Sequence, residues 1–158
     1  MANERGLCLR NRQRDKPVDL PRLRRIIRAL LRQLNVQEFD LAVHLVGEAE
    51  MTRINETRLR HAGCTDVITF DYSGADGPMI GEIFVCVSEA LAQAARYRAS
   101  WQAELARYIV HGVLHLLGHD DLRAPARREM RREENRLIAL LDRDFGLSNP
   151  GRKRKLRE

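Results

Sequence analysis

The chain has 158 residues, 44% of them hydrophobic and 32% charged. That length predicts one domain that buries roughly 70% of its unfolded surface, and no run approaches the ~18 apolar residues of a membrane span. The opening MANERGLCLRNRQRDKP has no apolar signal region, and Cys8, Cys64 and Cys86 are odd in number and scattered. A disulfide scaffold is excluded, secretion is not expected, and a reducing cytoplasm is the expected location.

The formal charge of +6 is unevenly spread. Residues 1–32 carry a net +7, residues 33–122 a net −7 and residues 123–158 a net +6. Only Lys16, Lys153 and Lys155 are lysine; the other 25 basic residues are arginine. A guanidinium fork grips phosphate in a bidentate way, so the two basic ends point to nucleic acid. The acidic middle suits a metal cation. The competing reading is an arginine-rich surface that only solubilises the protein.

Residues 1–17 read as a flexible basic arm. Asp19 and Pro21 then open an amphipathic helix, with Leu23, Ile26, Ile27, Leu30, Leu31 and Leu34 on one face. Arg24, Arg25, Arg28 and Arg32 occupy the other face. Residues 39–46 alternate as a strand, with Phe39, Leu41, Val43 and Leu45 inward and His44 outward and exposed. Residues 48–60 read as a helix. Residues 65–72 and 82–87 are strands rich in β-branched residues, separated by a turn at 73–78. Ser88 is expected to cap a helix to about Arg98, and Ser100 the next helix to about Leu117, ended by Gly118. A last helix covers about residues 124–141 with a basic face. The domain is taken as residues 18–145, with residues 146–158 a disordered basic tail. The order α-β-α-β-β-α-α-α makes a mixed α/β domain around three or four strands.

The chemistry concentrates in Tyr108-Ile-Val-His111-Gly-Val-Leu-His115-Leu-Leu-Gly118-His119-Asp120-Asp121. His111 and His115, at i and i+4, share one helix face and can grip one metal ion. Gly118 lets the chain turn back, so Asp121 or His119 can supply a third ligand. Two or three protein ligands with a free position make a catalytic kind of metal site. The competing reading is a pair of core histidines, which would bury two imidazoles without partners. The protease motif HExxH is absent, because Gly112 stands where its glutamate would be.

HGVLHLLGHDD, residues 111–121, resembles the HGxLHLxGYDH signature of the YbeY endoribonucleases, the bacterial rRNA maturation factors. Ile54-Asn55 followed by Thr65-Asp-Val-Ile-Thr-Phe70 resembles that family's LN…TDVLSF block, and Gly81-Glu-Ile83 its GDI strand. The resemblance spans about residues 20–142. It implies an α+β fold with a mostly parallel four-stranded sheet. It also implies a zinc-dependent, single-strand-specific endoribonuclease in rRNA maturation and ribosome quality control, with one ion per chain. Expected partners are rRNA and a ribosomal subunit or assembly factors; no membrane and no nucleotide cofactor is expected. His111 and His115 match the first two metal ligands, and Asp121 stands where the family usually has a third histidine. His119 replaces the common tyrosine, and Asp120 matches the family's aspartate. Either could accept a proton. Leu59 stands where the family commonly has an arginine, so Arg58 and Arg60 beside it are the candidate phosphate contacts. Arg24, Arg25, Arg28, Arg32, Arg128 and Arg132 are expected to hold the RNA backbone.

Other residues carry less. Cys64 reads as a loop residue and Cys86 as a buried strand residue, while His61 could line the cleft. Asn55 and Thr65 fit structural hydrogen bonding as well as catalysis. Trp101 is expected to pack at a helix start. A non-catalytic ribosome-assembly protein with a structural metal remains a rival reading, as does a metal-dependent hydrolase of another substrate.

Overall fold

The structure, a computed structural model, describes residues 6–147. Residues 1–5 of the expected arm and 148–158 of the expected tail lie outside the described residues. The elements are β1 (Leu7–Asn11), α1 (Leu20–Gln33), β2 (Phe39–Val46), α2 (Glu48–Arg58), β3 (Val67–Asp71), β4 (Met79–Cys86), α3 (Val87–Tyr97), α4 (Trp101–Leu116) and α5 (Ala124–Phe145). One sheet has the order β1-β2-β4-β3. β1, β2 and β4 run parallel, and β3 is antiparallel to β4 at the edge. This is the α+β fold with a mostly parallel four-stranded sheet that the resemblance implied.

The expected arm needs correction. Leu7 to Asn11 pair in parallel with Leu41 to Leu45, and Leu7 and Leu9 are buried. Two leucines suffice to seat a five-residue edge strand, although Arg10, Arg12 and Arg14 around them made the stretch look solvated. The tail boundary also shifts. α5 continues to Phe145, Leu147 is buried, and its carbonyl accepts from Ser100 Oγ at 2.9 Å. The Arg22 guanidinium reaches back to the Phe145 carbonyl, tying the end of α5 to the start of α1.

The helix starts follow from their caps. Asp19 accepts the Arg22 amide at 3.0 Å and Ser100 accepts the Ala103 amide at 3.3 Å, as expected of such residues. Ser88 does not cap α3. The helix begins at Val87, directly after β4, and Ser88 Oγ faces Cys86 Sγ at 3.1 Å.

The sheet is covered on both faces. Leu41, Val43, Leu45, Ile83 and Val85 point to a large core shared with α1, α3, α4 and α5. Val46, Ile68, Phe84 and Cys86 point the other way, to a smaller core closed by Met51 of α2. His44 lies on this second face. It is 5% exposed, not solvated as its alternation suggested, because the neighbouring β4 side chains Phe84 and Glu82 pack against its ring. Its ring stacks on Phe84 at 4.5 Å, and Nε2 bonds Glu82 at 2.8 Å.

α4 sits close on the sheet because two glycines permit it. A Cβ on Gly112 would come within 2.9 Å of Ile83, and one on Gly81 within 2.8 Å of Leu116. The residue that breaks the protease motif therefore has a packing reason. Among the described residues, no helix is long and apolar enough to cross a membrane.

Candidate metal centre

α4 places His111 and His115 one turn apart, half-buried, with ring centroids 4.7 Å apart in an edge-on arrangement. Leu117 caps the helix, and Gly118 turns the chain at φ +95°, a conformation glycine adopts without strain. The turn brings Asp121 back over the helix end. Three atoms then converge. His111 Nε2 and His115 Nε2 are 3.1 Å apart, and Asp121 Oδ2 lies 3.8 Å and 3.5 Å from them. A triangle with those sides has a circumscribed radius of about 2.0 Å, the length of a zinc–nitrogen or zinc–carboxylate bond. Two imidazoles and a carboxylate are also a donor set that zinc accepts. The residues present fit a metal ion.

The remaining nitrogen of His111 fixes its tautomer. Glu134 of α5 lies 3.0 Å from Nδ1 and, as a carboxylate, can only accept, so Nδ1–H donates and the Nε2 lone pair faces the cluster. Arg107 holds the same carboxylate at 3.0 Å, and Asn135 Oδ1 at 3.0 Å. Burial alone would raise the Glu134 carboxyl, but hydrogen bonds from His111 and Arg107 outweigh it and keep the group below the usual glutamate range. The Glu134 bond in turn lifts His111 above the usual histidine value, against the opposing effect of burial. Sequence reasoning missed Glu134, which reads as one more charge on a long basic helix. Its only signal is its place on the apolar edge of α5, between Met130 and Leu137, both buried.

The cluster opens on a cleft of about 590 Å³, walled by Asn55, Leu59, His61, Cys64, Thr65 and Asp66. Asn55 is buried and donates to the Gly63 carbonyl at 2.9 Å, bracing the loop that forms this wall. Asp66 Oδ1 accepts the Val67 amide at 2.8 Å and the Thr65 hydroxyl at 3.3 Å. Asp66 also lines a second cavity of about 510 Å³ between α4 and α5, together with His111 and Asp121. The His111–His115–Asp121 cluster thus borders two hollows that share Asp66, His111 and Asp121 in their linings. Cys64 and Cys86 have their sulfurs 3.7 Å apart beneath the loop, and burial pushes the Cys64 thiol up to about 12.

The other sequence candidates are not gathered here. Asp120 is exposed and its Oδ1 accepts the Leu122 amide at 2.8 Å. His119 bonds the Leu114 carbonyl through its backbone, and neither residue lines the cleft or the cavity. Leu59 is 40% exposed and lines the cleft, with no charge to offer. Arg58 turns away and lies over the Phe70 ring at 4.9 Å. Arg60 is exposed at φ +55°, in the loop after α2, and does not line the cleft. Arg24, Arg25, Arg28 and Arg32 stand on α1, away from the cluster, and Arg128 and Arg132 face outward on α5.

Comparison with known proteins places this arrangement. The family model described as endoribonuclease YbeY matches residues 8–142. An endoribonuclease YbeY of Geobacter metallireducens is 30% identical over 146 residues, covering 87% of this chain and 97% of the relative. One from Thermobifida fusca is 34% identical over 149 residues, covering 88% of this chain and 90% of the relative. The solution structure of a Thermotoga maritima protein matches with a TM-score of 0.67 at 21% identity, covering 93% of this chain and 99% of that one. The first two likenesses carry kinship and the third carries the fold; with a match over most of its length, the chain belongs to the endoribonuclease YbeY family.

Proposed function

We propose that the chain is a zinc-dependent endoribonuclease that cuts single-stranded RNA in the cytoplasm during rRNA maturation and ribosome quality control. The observation that carries this reading is the convergence of His111 Nε2, His115 Nε2 and Asp121 Oδ2 within 4.8 Å of one another at an open cleft. Kinship to proteins named endoribonucleases supports RNA as the substrate, and the arginine-rich ends support contact with rRNA and the ribosomal subunit.

His111, His115 and Asp121 would hold the ion. When bound, zinc supplies charge stabilisation at a phosphoryl oxygen and acidifies a bound water. Glu134 keeps His111 in the tautomer that presents Nε2. Asp66 lines the cleft with Oδ1 held by the Val67 amide, and its carboxylate is the group that accepts a proton from the attacking hydroxyl or water. The wall formed by Leu59, Ala62 and Cys64 offers no cation, so the strand is oriented from the opposite side.

The test is cleavage of single-stranded and duplex rRNA fragments by the zinc-loaded protein, beside its His115→Ala variant. Cutting of the single strand that the variant lacks is the expected result. Salt-sensitive binding without cutting would favour the non-catalytic assembly reading, for which the uncharged Leu59 is the specific observation.

A further inference from the structure

The cavity between α4 and α5 holds a feature that the motif does not contain. It shares His111, Asp121 and Asp66 with the cleft and adds Arg107, Arg127 and Arg131. Arg107 is committed to Glu134 and Asn135. Arg127 and Arg131 are one turn apart on α5, exposed, and make no side-chain hydrogen bond or ion pair among the described residues. Neighbours at i and i+4 share a helix face. Arg128 and Arg132 stand about 100° further round the helix and do not line the cavity.

None of the three carboxylates facing this cavity is paired with Arg127 or Arg131. Glu134 is bonded by His111 and Arg107, Asp121 belongs to the metal cluster, and Asp66 accepts from the Val67 amide and the Thr65 hydroxyl. Two free guanidinium forks therefore stand beside three residues that can hold a divalent cation, while the far wall of the cleft is uncharged around Leu59. Such forks match a phosphate diester in geometry and charge.

Resting on the nuclease reading, we propose that Arg127 and Arg131 form a phosphate subsite that takes a backbone phosphate of single-stranded RNA next to the one held at the metal cluster. In this chain the clamp comes from α5, in the cavity beside the cluster, and not from the cleft wall at Leu59, where the family resemblance would place an arginine. Substrate then enters with its backbone along α5 and its bases toward the His61 loop.

The test measures binding of a fluorescein-labelled single-stranded RNA of about twelve nucleotides by anisotropy. The full chain is used in its zinc-loaded and metal-free forms. Arg127→Ala/Arg131→Ala is compared with a charge-matched control, Arg53→Ala/Arg96→Ala, both exposed and neither lining the cavity or the cleft. The expected result is at least a tenfold loss of affinity for the first pair only. The slope of log K against log salt should flatten by about 0.7, the contribution of one single-strand phosphate. Equal loss in both pairs would show a general basic field and overturn the subsite, as would unchanged affinity in the first pair or a wild-type chain that does not bind RNA. Selective loss in a protein that never cuts would sink the nuclease reading and leave the subsite standing. A first-pair variant that binds and cuts like wild type would do the reverse.

Discussion

Two histidines in this chain hold a carboxylate through one ring nitrogen, and their other nitrogens have opposite fates. His44 bonds Glu82 at 2.8 Å, stacks on Phe84 and buries Nδ1 with no partner. His111 bonds Glu134 at 3.0 Å and turns Nε2 toward His115 and Asp121 at a cleft. A histidine–carboxylate pair is therefore not a site by itself. In the sheet pair the ring closes a core; in the α4 pair it presents a lone pair where two more donors converge. The backbone makes the difference. His44 lies on a strand whose neighbours Phe84 and Glu82 close against its ring, whereas His111 lies on a helix face that lines the cleft, ahead of the turn at Gly118.

The comparison breaks most visibly at the metal. His115→Ala removes one of three donors and should weaken zinc affinity by about 10³-fold or more. His44→Phe, which keeps the stack on Phe84, should leave zinc affinity unchanged. Competition with a chromophoric chelator reads both. Equal losses would mean that zinc affinity responds to general loosening of the fold and not to the cluster.

Glu134→Gln sharpens the same contrast at the supporting carboxylate. The amide keeps the size but weakens its grip on Nδ1–H, so zinc affinity should fall about 10- to 100-fold. The same change at Glu82 should leave zinc binding alone. Unchanged zinc affinity in Glu134→Gln would reduce Glu134 to a helix-packing ion pair with Arg107.

How much of this was legible follows the same divide. The i, i+4 spacing of His111 and His115 and the glycine after them are local, so the donors and the turn could be read directly from the chain. The family blocks added the sheet and its mostly parallel order. Glu134, 23 residues beyond His111, could not be read, because only the packing of α5 on α4 brings it to the ring. The basic surroundings of Leu7 and Leu9 hid β1, since a parallel edge strand needs little more than two buried residues. His44 was misplaced because alternation distinguishes the two faces of a strand but not whether both are covered. The sequence points to Arg128 and Arg132 where Arg127 and Arg131 line the cavity, because a helix with arginines on several sides does not reveal from sequence which side faces its neighbour.

The smallest effect is one of stability, and it carries a sign. Burial by itself would raise the Glu82 carboxyl, but bonds from His44 and Tyr72 and the charge of Arg58 outweigh it and hold the group below its ordinary value of 4.5. A carboxyl depressed in the folded state contributes stability above its unfolded value, and that contribution is lost as pH falls through the folded one. Glu82→Gln should therefore lower stability by about 1 kcal/mol near neutral pH, a modest figure because the side chain is partly solvated. The gap between variant and wild type should close as pH drops below the ordinary carboxylate range. Urea unfolding at neutral and acid pH measures it. A gap that widens in acid would contradict the depressed carboxyl. A loss of zinc affinity would mean that the two histidine–carboxylate pairs are coupled through β4 and α4, against the separation their surroundings describe.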